Sequence, residues 1–184
     1  MGDEGRKIHA PPEGWLKRRL KGWRANRRRR KIDGLLDLPE KVAAPELARL
    51  KFPPLPYLLE SVRGMDAKSA KAAYLIGKVA EGGGDCREAL HPLYDMLMNG
   101  DEMQKANSAA ALAGIGATEA CSMLLAALGD RNHLIRKYAA MGLGAMGDAS
   151  AEGALKRVAE GDCDPEVRRF ADSALKQIAW AHQP

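Results

Sequence analysis

Five cations in a row, Arg27, Arg28, Arg29, Arg30 and Lys31, are the most concentrated chemistry in the chain. Lys17, Arg18, Arg19, Lys21 and Arg24 lead into them, with Trp15 and Trp23 interleaved. In isolation the five consecutive charges repel one another and favour an extended or frayed chain. Against a polyphosphate they release condensed counterions and gain salt-dependent affinity. Arginine suits this better than lysine, because its planar fork grips phosphate at two points and stacks on bases. Trp15 and Trp23 could stack on unpaired bases or insert into an RNA fold. This set of residues points to a nucleic-acid partner, RNA favoured over DNA.

Two other uses compete. Leu16, Leu20 and Trp23 sit at i, i+4 and i+7, a narrow apolar stripe on a helix. That stripe could dock the arm on the end of the folded part and leave the cations facing out. The same pattern could lie on anionic lipid. Its apolar face is short and the arginine run extends beyond it, so a membrane ranks below nucleic acid.

The charge is segregated. Residues 1–36 hold 12 Lys/Arg against 4 acids, whereas the rest holds 17 against 20, giving the whole its net +5. A polyanion-binding arm on a neutral-to-acidic domain is the reading such asymmetry supports. No stretch is apolar and long enough to span a membrane, and the first residues lack the apolar core of a secretory leader.

Catalysis finds little to work with. His9, His91, His133 and His182 are scattered, and no HxxH, HExxH or CxxC spacing occurs. A metal site, a cofactor and catalytic residues are therefore not expected. The three cysteines, Cys86, Cys121 and Cys163, are odd in number and widely spaced, which suits a reducing cytoplasm. Cys121 lies in an apolar helical pattern and reads as core. Cys163 sits among acids, without the cations that favour a reactive thiolate.

The elements that would carry this arm repeat. Ile135, Arg136, Ala139, Leu143 and Met146 fall on Val167, Arg168, Ala171, Leu175 and Ile178 at a spacing of 32. Leu112 and Ile115 precede Leu143 and Met146 by 31, and Pro56 to Val79 aligns with Pro92 to Ile115 at 36, the longer step reflecting the loop Glu81 to Asp85. Shorter apolar-periodic stretches lie between, so each unit is two helices. Asn99-Gly100-Asp101, Gly129-Asp130, Gly147-Asp148 and Asp164-Pro165-Glu166 supply helix stops and starts.

The pattern of Asp164, Val167, Arg168, Ala171, Ala174, Leu175 and Ile178 resembles the HEAT-like repeats of the phycobilisome-lyase type, over roughly Pro54 to Trp180. The two earlier units depart from it, with Gln104-Lys105 and Lys68-Ser69 where Val-Arg is expected. The resemblance implies a fold and says little of activity, since such repeats serve lyases, chaperones, adaptors and repair proteins. The His-Glu pairs of HEAT-repeat di-iron hydroxylases are absent from the sequence. The recurrence of Arg136 and Arg168 near Asp130 and Asp164 reads first as a structural ladder, and second as a basic stripe on a ligand face.

The expected fold is all-α: a right-handed α-solenoid of about four HEAT-like helical hairpins with a basic N-terminal extension. Its expected divisions are a basic arm at 1–36, a proline-containing strap at 37–55 and the solenoid at 56–184. Pro39 and Pro45 could each start a short helix in the strap, with Leu47, Leu50 and Phe52 as anchors. The expected function is a non-catalytic, cytoplasmic scaffold. Its arm holds RNA or DNA, within a ribonucleoprotein such as a ribosome-associated assembly, and its solenoid holds a protein. The alternatives are a lyase- or chaperone-like protein acting on a client, and a peripheral-membrane scaffold.

Overall fold

A computed structural model describes residues 15–183, with side chains throughout except at residues 15–20 and 23. Eight helices form four successive hairpins: α3 (Leu55–Gly64) with α4 (Ser69–Glu81), α5 (Leu90–Asn99) with α6 (Glu102–Ile115), α7 (Thr118–Ala127) with α8 (His133–Met146), and α9 (Glu152–Gly161) with α10 (Pro165–Ala181). Single 3-10 turns at Arg87–Ala89 and Ala149–Ala151 lead into α5 and α9. No strand occurs among the described residues. The fold is an all-α solenoid of stacked hairpins.

Two layers share one core. Leu58, Leu93, Leu124 and Leu155 are fully buried, one from each first helix. Leu75, Leu112, Leu143 and Ile178 answer them from the second helices. The second helices α4, α6, α8 and α10 pack side by side, and small residues let them do so. A methyl group added to Gly77 would lie 3.3 Å from the Ala111 Cα, and one added to Gly142 would lie 3.1 Å from the Ala109 carbonyl oxygen. At Gly144 it would meet the Ala174 Cα at 2.7 Å. Glycine inside a helix costs about 1 kcal/mol against alanine; the contact between neighbouring backbones offsets that.

The turn chemistry holds with one change. Asp101 and Gln104 form a reciprocal capping box at the start of α6, and Asp164 caps α10 ahead of Pro165. Gly147 ends α8 in the left-handed conformation at φ 68°, where a side chain is strained. The cap of α8, however, is Asn132, whose side chain accepts from the Leu134 amide. Asp130 instead accepts from the Asn132 amide one turn earlier.

The N-terminal segment differs from the expectation of a frayed arm. α1 runs without a break from Trp15 to Asp37, through all five consecutive cations. Its last turns supply the reason: Ile32, Leu35 and Leu36 are buried against the solenoid. Fixing that end of the helix lets backbone hydrogen bonding propagate past the cations, each added residue gaining a bond once the nucleus exists. Lys68 reaches Asp37 at 2.7 Å and ties the end of α1 to the turn before α4. The strap forms one helix, α2 (Glu40–Ala48), instead of two short ones. Pro39 precedes it. Pro45 sits inside it, where the bond lost to the Lys41 carbonyl lies between two exposed residues. Leu47 is buried, and Leu50 and Phe52 pack on the core as expected.

Gly144→Ala should lower stability by about 1–3 kcal/mol through overpacking against α10, despite alanine's better helix propensity. Gly34→Ala, in α1 with nothing within 4 Å of the new methyl group, should raise it by up to about 1 kcal/mol. Urea unfolding of both variants checks the opposite signs.

Candidate nucleic-acid interface

From Lys21 to Lys31 every described side chain of α1 is exposed. Seven of these residues are cations and none is an acid: Lys21, Arg24, Arg27, Arg28, Arg29, Arg30 and Lys31. α1 therefore has two parts: the last turns are anchored through Ile32, Leu35 and Leu36, and the cationic turns before them stand in solvent. Lys21, Arg28 and Leu35 are spaced by seven, and Arg24 and Lys31 fall between them on the same side of the helix. The face that is buried at Leu35 thus continues upward as a row of cations with no core beneath it.

Arg28 and Arg29 are held by described neighbours. Arg29 pairs with Glu60 of α3 and lies 4.0 Å from Asp33. These groups are about half exposed, so the pairs orient Arg29 more than they stabilise the fold. The Arg28 guanidinium lies 5.3 Å from the centre of the Phe52 ring, which is itself set edge-on to Tyr57 at 5.8 Å. Arg24, Arg27, Arg28, Lys31 and Phe52 line a notch of about 230 Å³. Lys21, Arg24, Arg30 and Lys31 form no ion pair among the described residues.

Of the residues singled out from sequence, Lys21, Arg24, Arg27, Arg28, Arg29, Arg30 and Lys31 are brought onto one exposed helix. Trp15, Lys17, Arg18 and Arg19, with Leu16, Leu20 and Trp23 of the docking stripe, have side chains outside the described residues. Among the described side chains of α1, Ile32, Leu35 and Leu36 are the ones that dock. Their i, i+3, i+4 spacing directly after the cations was the available signal.

Residues 90–176 match the family model of HEAT repeats. The chain carries HEAT-like repeats. No curated protein matches it. Among solved structures it is similar to human deoxyhypusine hydroxylase in complex with glycerol, at 21% identity and a TM-score of 0.56, over 71% of this chain and 45% of that one. The chain thus spans under half of that structure, and the likeness concerns the fold.

The HEAT-like repeats also account for the recurring cations of the solenoid. At equivalent positions Ser69, Lys105, Arg136 and Arg168 each donate to a backbone carbonyl of the preceding turn: to Asp66, Gly100, Asp130 and Asp162 respectively. The longer the side chain, the further back it reaches. Arg136 is the central rung. Its Nε and a terminal nitrogen hold Asp162 at 2.7 and 2.8 Å, joining α8 to the turn before α10. Lys137 beside it bridges Glu102 and Glu166 at 3.1 and 3.4 Å, from α6 and α10, and lies over the Tyr138 and Phe170 rings. These cations are structural. Lys105 stands where arginine was expected and does the same work, nearly buried.

Elsewhere the chemistry is sparse. Cys86 and Cys121 are buried, and burial pushes the Cys86 thiol up to about 11. Cys163 is exposed. His91 is exposed 3.5 Å from Glu119, and His133 opens α8 at the surface. Among the described residues no group of three or more His, Cys, Asp or Glu side chains is arranged for a metal ion. No described helix is long and apolar enough to cross a membrane.

The Arg136 guanidinium holds the Asp162 carboxyl below the usual carboxylate range. A depressed folded pKa gives stability that is full above the unfolded value near 3.9 and lost as pH falls through the folded value. Both side chains are nearly buried, at 11% and 7% exposure, so Asp162→Ala should cost about 3 kcal/mol at neutral pH. It should also flatten the loss of stability below about pH 4, as read by urea unfolding across pH 2–7.

Proposed function

We propose that the protein is a non-catalytic scaffold whose basic helix α1 contacts nucleic acid, RNA in preference to DNA, while its HEAT-like solenoid contacts a protein. The observation that carries the reading is the run of seven exposed cations from Lys21 to Lys31, free of acids, on a helix whose last turns are anchored in the core. A solvated structural helix would normally intersperse acids at i+4. Here the acids that pair with these cations, among the described residues, are Asp33 and Glu60, and they engage Arg29. Backbone phosphates supply the missing charge. The arginine excess, six of ten residues from Arg24 to Asp33 being Arg or Lys, favours bidentate phosphate contacts over point-charge ones.

The protein partner rests on the solenoid. Stacked helical pairs present extended surfaces to other macromolecules. A ribonucleoprotein component, joining an RNA-binding arm to a protein-binding repeat array, combines both. The free, widely spaced cysteines support a reducing, cytoplasmic setting. Kinship with phycobilisome-lyase-type HEAT repeats, supported by Asp164, Val167, Arg168 and Ala171, keeps a client-directed lyase- or chaperone-like role as the second reading.

The test replaces Arg27, Arg28 and Arg30 by glutamine in the full chain and measures RNA binding at low salt. Removing residues 1–36 would not serve, because it strips Ile32, Leu35 and Leu36 from the core. The substituted protein should keep its helical circular dichroism and lose at least tenfold in affinity. Unchanged affinity would exclude α1 as the contact.

A further inference from the structure

The cations of α1 are not spread evenly around the helix. Lys21, Arg24, Arg28 and Lys31 follow one line, with Arg27 beside it, and the line ends where Leu35 enters the core. At 1.5 Å per residue it is about 15 Å long. A strand winds around its helix axis, so a straight line of this length follows only about two or three successive phosphates. The cations in the line outnumber those phosphates, so each phosphate meets at least one. A double helix holds those phosphates in fixed positions, whereas a single strand must be ordered on contact.

At the lower end of the line lies the notch of about 230 Å³ between α1 and Phe52. Its lining is Arg24, Arg27, Arg28, Lys31 and the one ring, with no carboxylate. It is smaller than the ~300 Å³ at which small-molecule pockets begin. Phe52 is packed edge-on against Tyr57 and has Arg28 over its face. The ring is thus occupied and does not offer a base a stacking surface. It fixes a guanidinium in place before any ligand arrives, so less side-chain freedom is lost on contact.

We propose that this line and notch seat the sugar–phosphate backbone of one strand of a double helix, with the notch holding one phosphate, and that they read no base edges. The inference rests on nucleic-acid binding by α1 and adds which form is bound and how. A backbone-only contact is sequence-independent. Its affinity falls with salt at a slope near −0.9 per phosphate neutralised, about −2 to −3 for two or three. Phe52 acts as a positioning residue: it touches Arg28, and through it the phosphate.

The test measures equilibrium binding of the full chain, between 50 and 200 mM salt, to two 20-base-pair RNA duplexes of unrelated sequence. A single strand and vesicles of phosphatidylserine with phosphatidylcholine are measured alongside. Both duplexes should bind within about twofold of each other and more tightly than the strand or the vesicles, with a slope of about −2 to −3. Arg24→Gln and Lys31→Gln should each make that slope shallower, by up to about 0.9. Phe52→Leu, which keeps every charge, should weaken binding severalfold at an unchanged slope; Arg49→Gln, a cation of the α2 end, should do neither. Tighter binding to the single strand, a tenfold preference between the duplexes, or a slope indifferent to Arg24 and Lys31 would overturn this inference while leaving nucleic-acid binding intact. Preference for the vesicles, or no binding to any nucleic acid, would overturn both.

Discussion

Close approach between the backbones of the second helices is the constraint on which the rest depends. Gly77 against Ala111, Gly142 against Ala109 and Gly144 against Ala174 leave no room for larger side chains. Once α4, α6, α8 and α10 are that close, the turns before them line up along one edge. The cations that open those helices then reach carbonyls of their own repeat and acids of the neighbouring repeats: Arg136 to Asp162, and Lys137 to Glu102 and Glu166. Core burial gives the stack its stability. The ion pairs and carbonyl contacts fix the order and spacing of the hairpins.

That stack makes α1 possible as a helix. Alone, a sequence with seven like charges between Lys21 and Lys31 would be a poor helix former. Ile32, Leu35 and Leu36 pin its far end to the first hairpin, and helix propagates back from there. The outcome is a continuous cationic helix whose last turns are packed on the solenoid. Helical order matters to binding, since cations already aligned lose less conformational freedom against a phosphate backbone than those of a flexible tail.

Much of the fold was legible because solenoid packing writes itself into the sequence at steps of 31, 32 and 36. Each small residue and each cap must recur where its neighbour did. Arg136 and Arg168 were readable as a ladder for the same reason, although the carboxylate on Arg136 is Asp162, from the following turn, and not Asp130. Less legible was α1. Repulsion among Arg27 to Lys31, considered locally, argues for a frayed chain; the apolar triplet that overrides it lies just beyond, and its effect depends on a tertiary surface the sequence does not display. The anchoring role of Phe52 could be read from its place among prolines. Its hold on Arg28 could not, because that pairing joins residues from two different elements.

The most direct measurement of the central claim is amide hydrogen exchange of the full chain with and without a saturating RNA duplex. The account predicts slowed exchange in α1 between Lys21 and Lys31 and around Phe52, with α6, α8 and α10 unchanged. Protection confined to the second helices of the solenoid, with α1 exchanging as in the free protein, would contradict it.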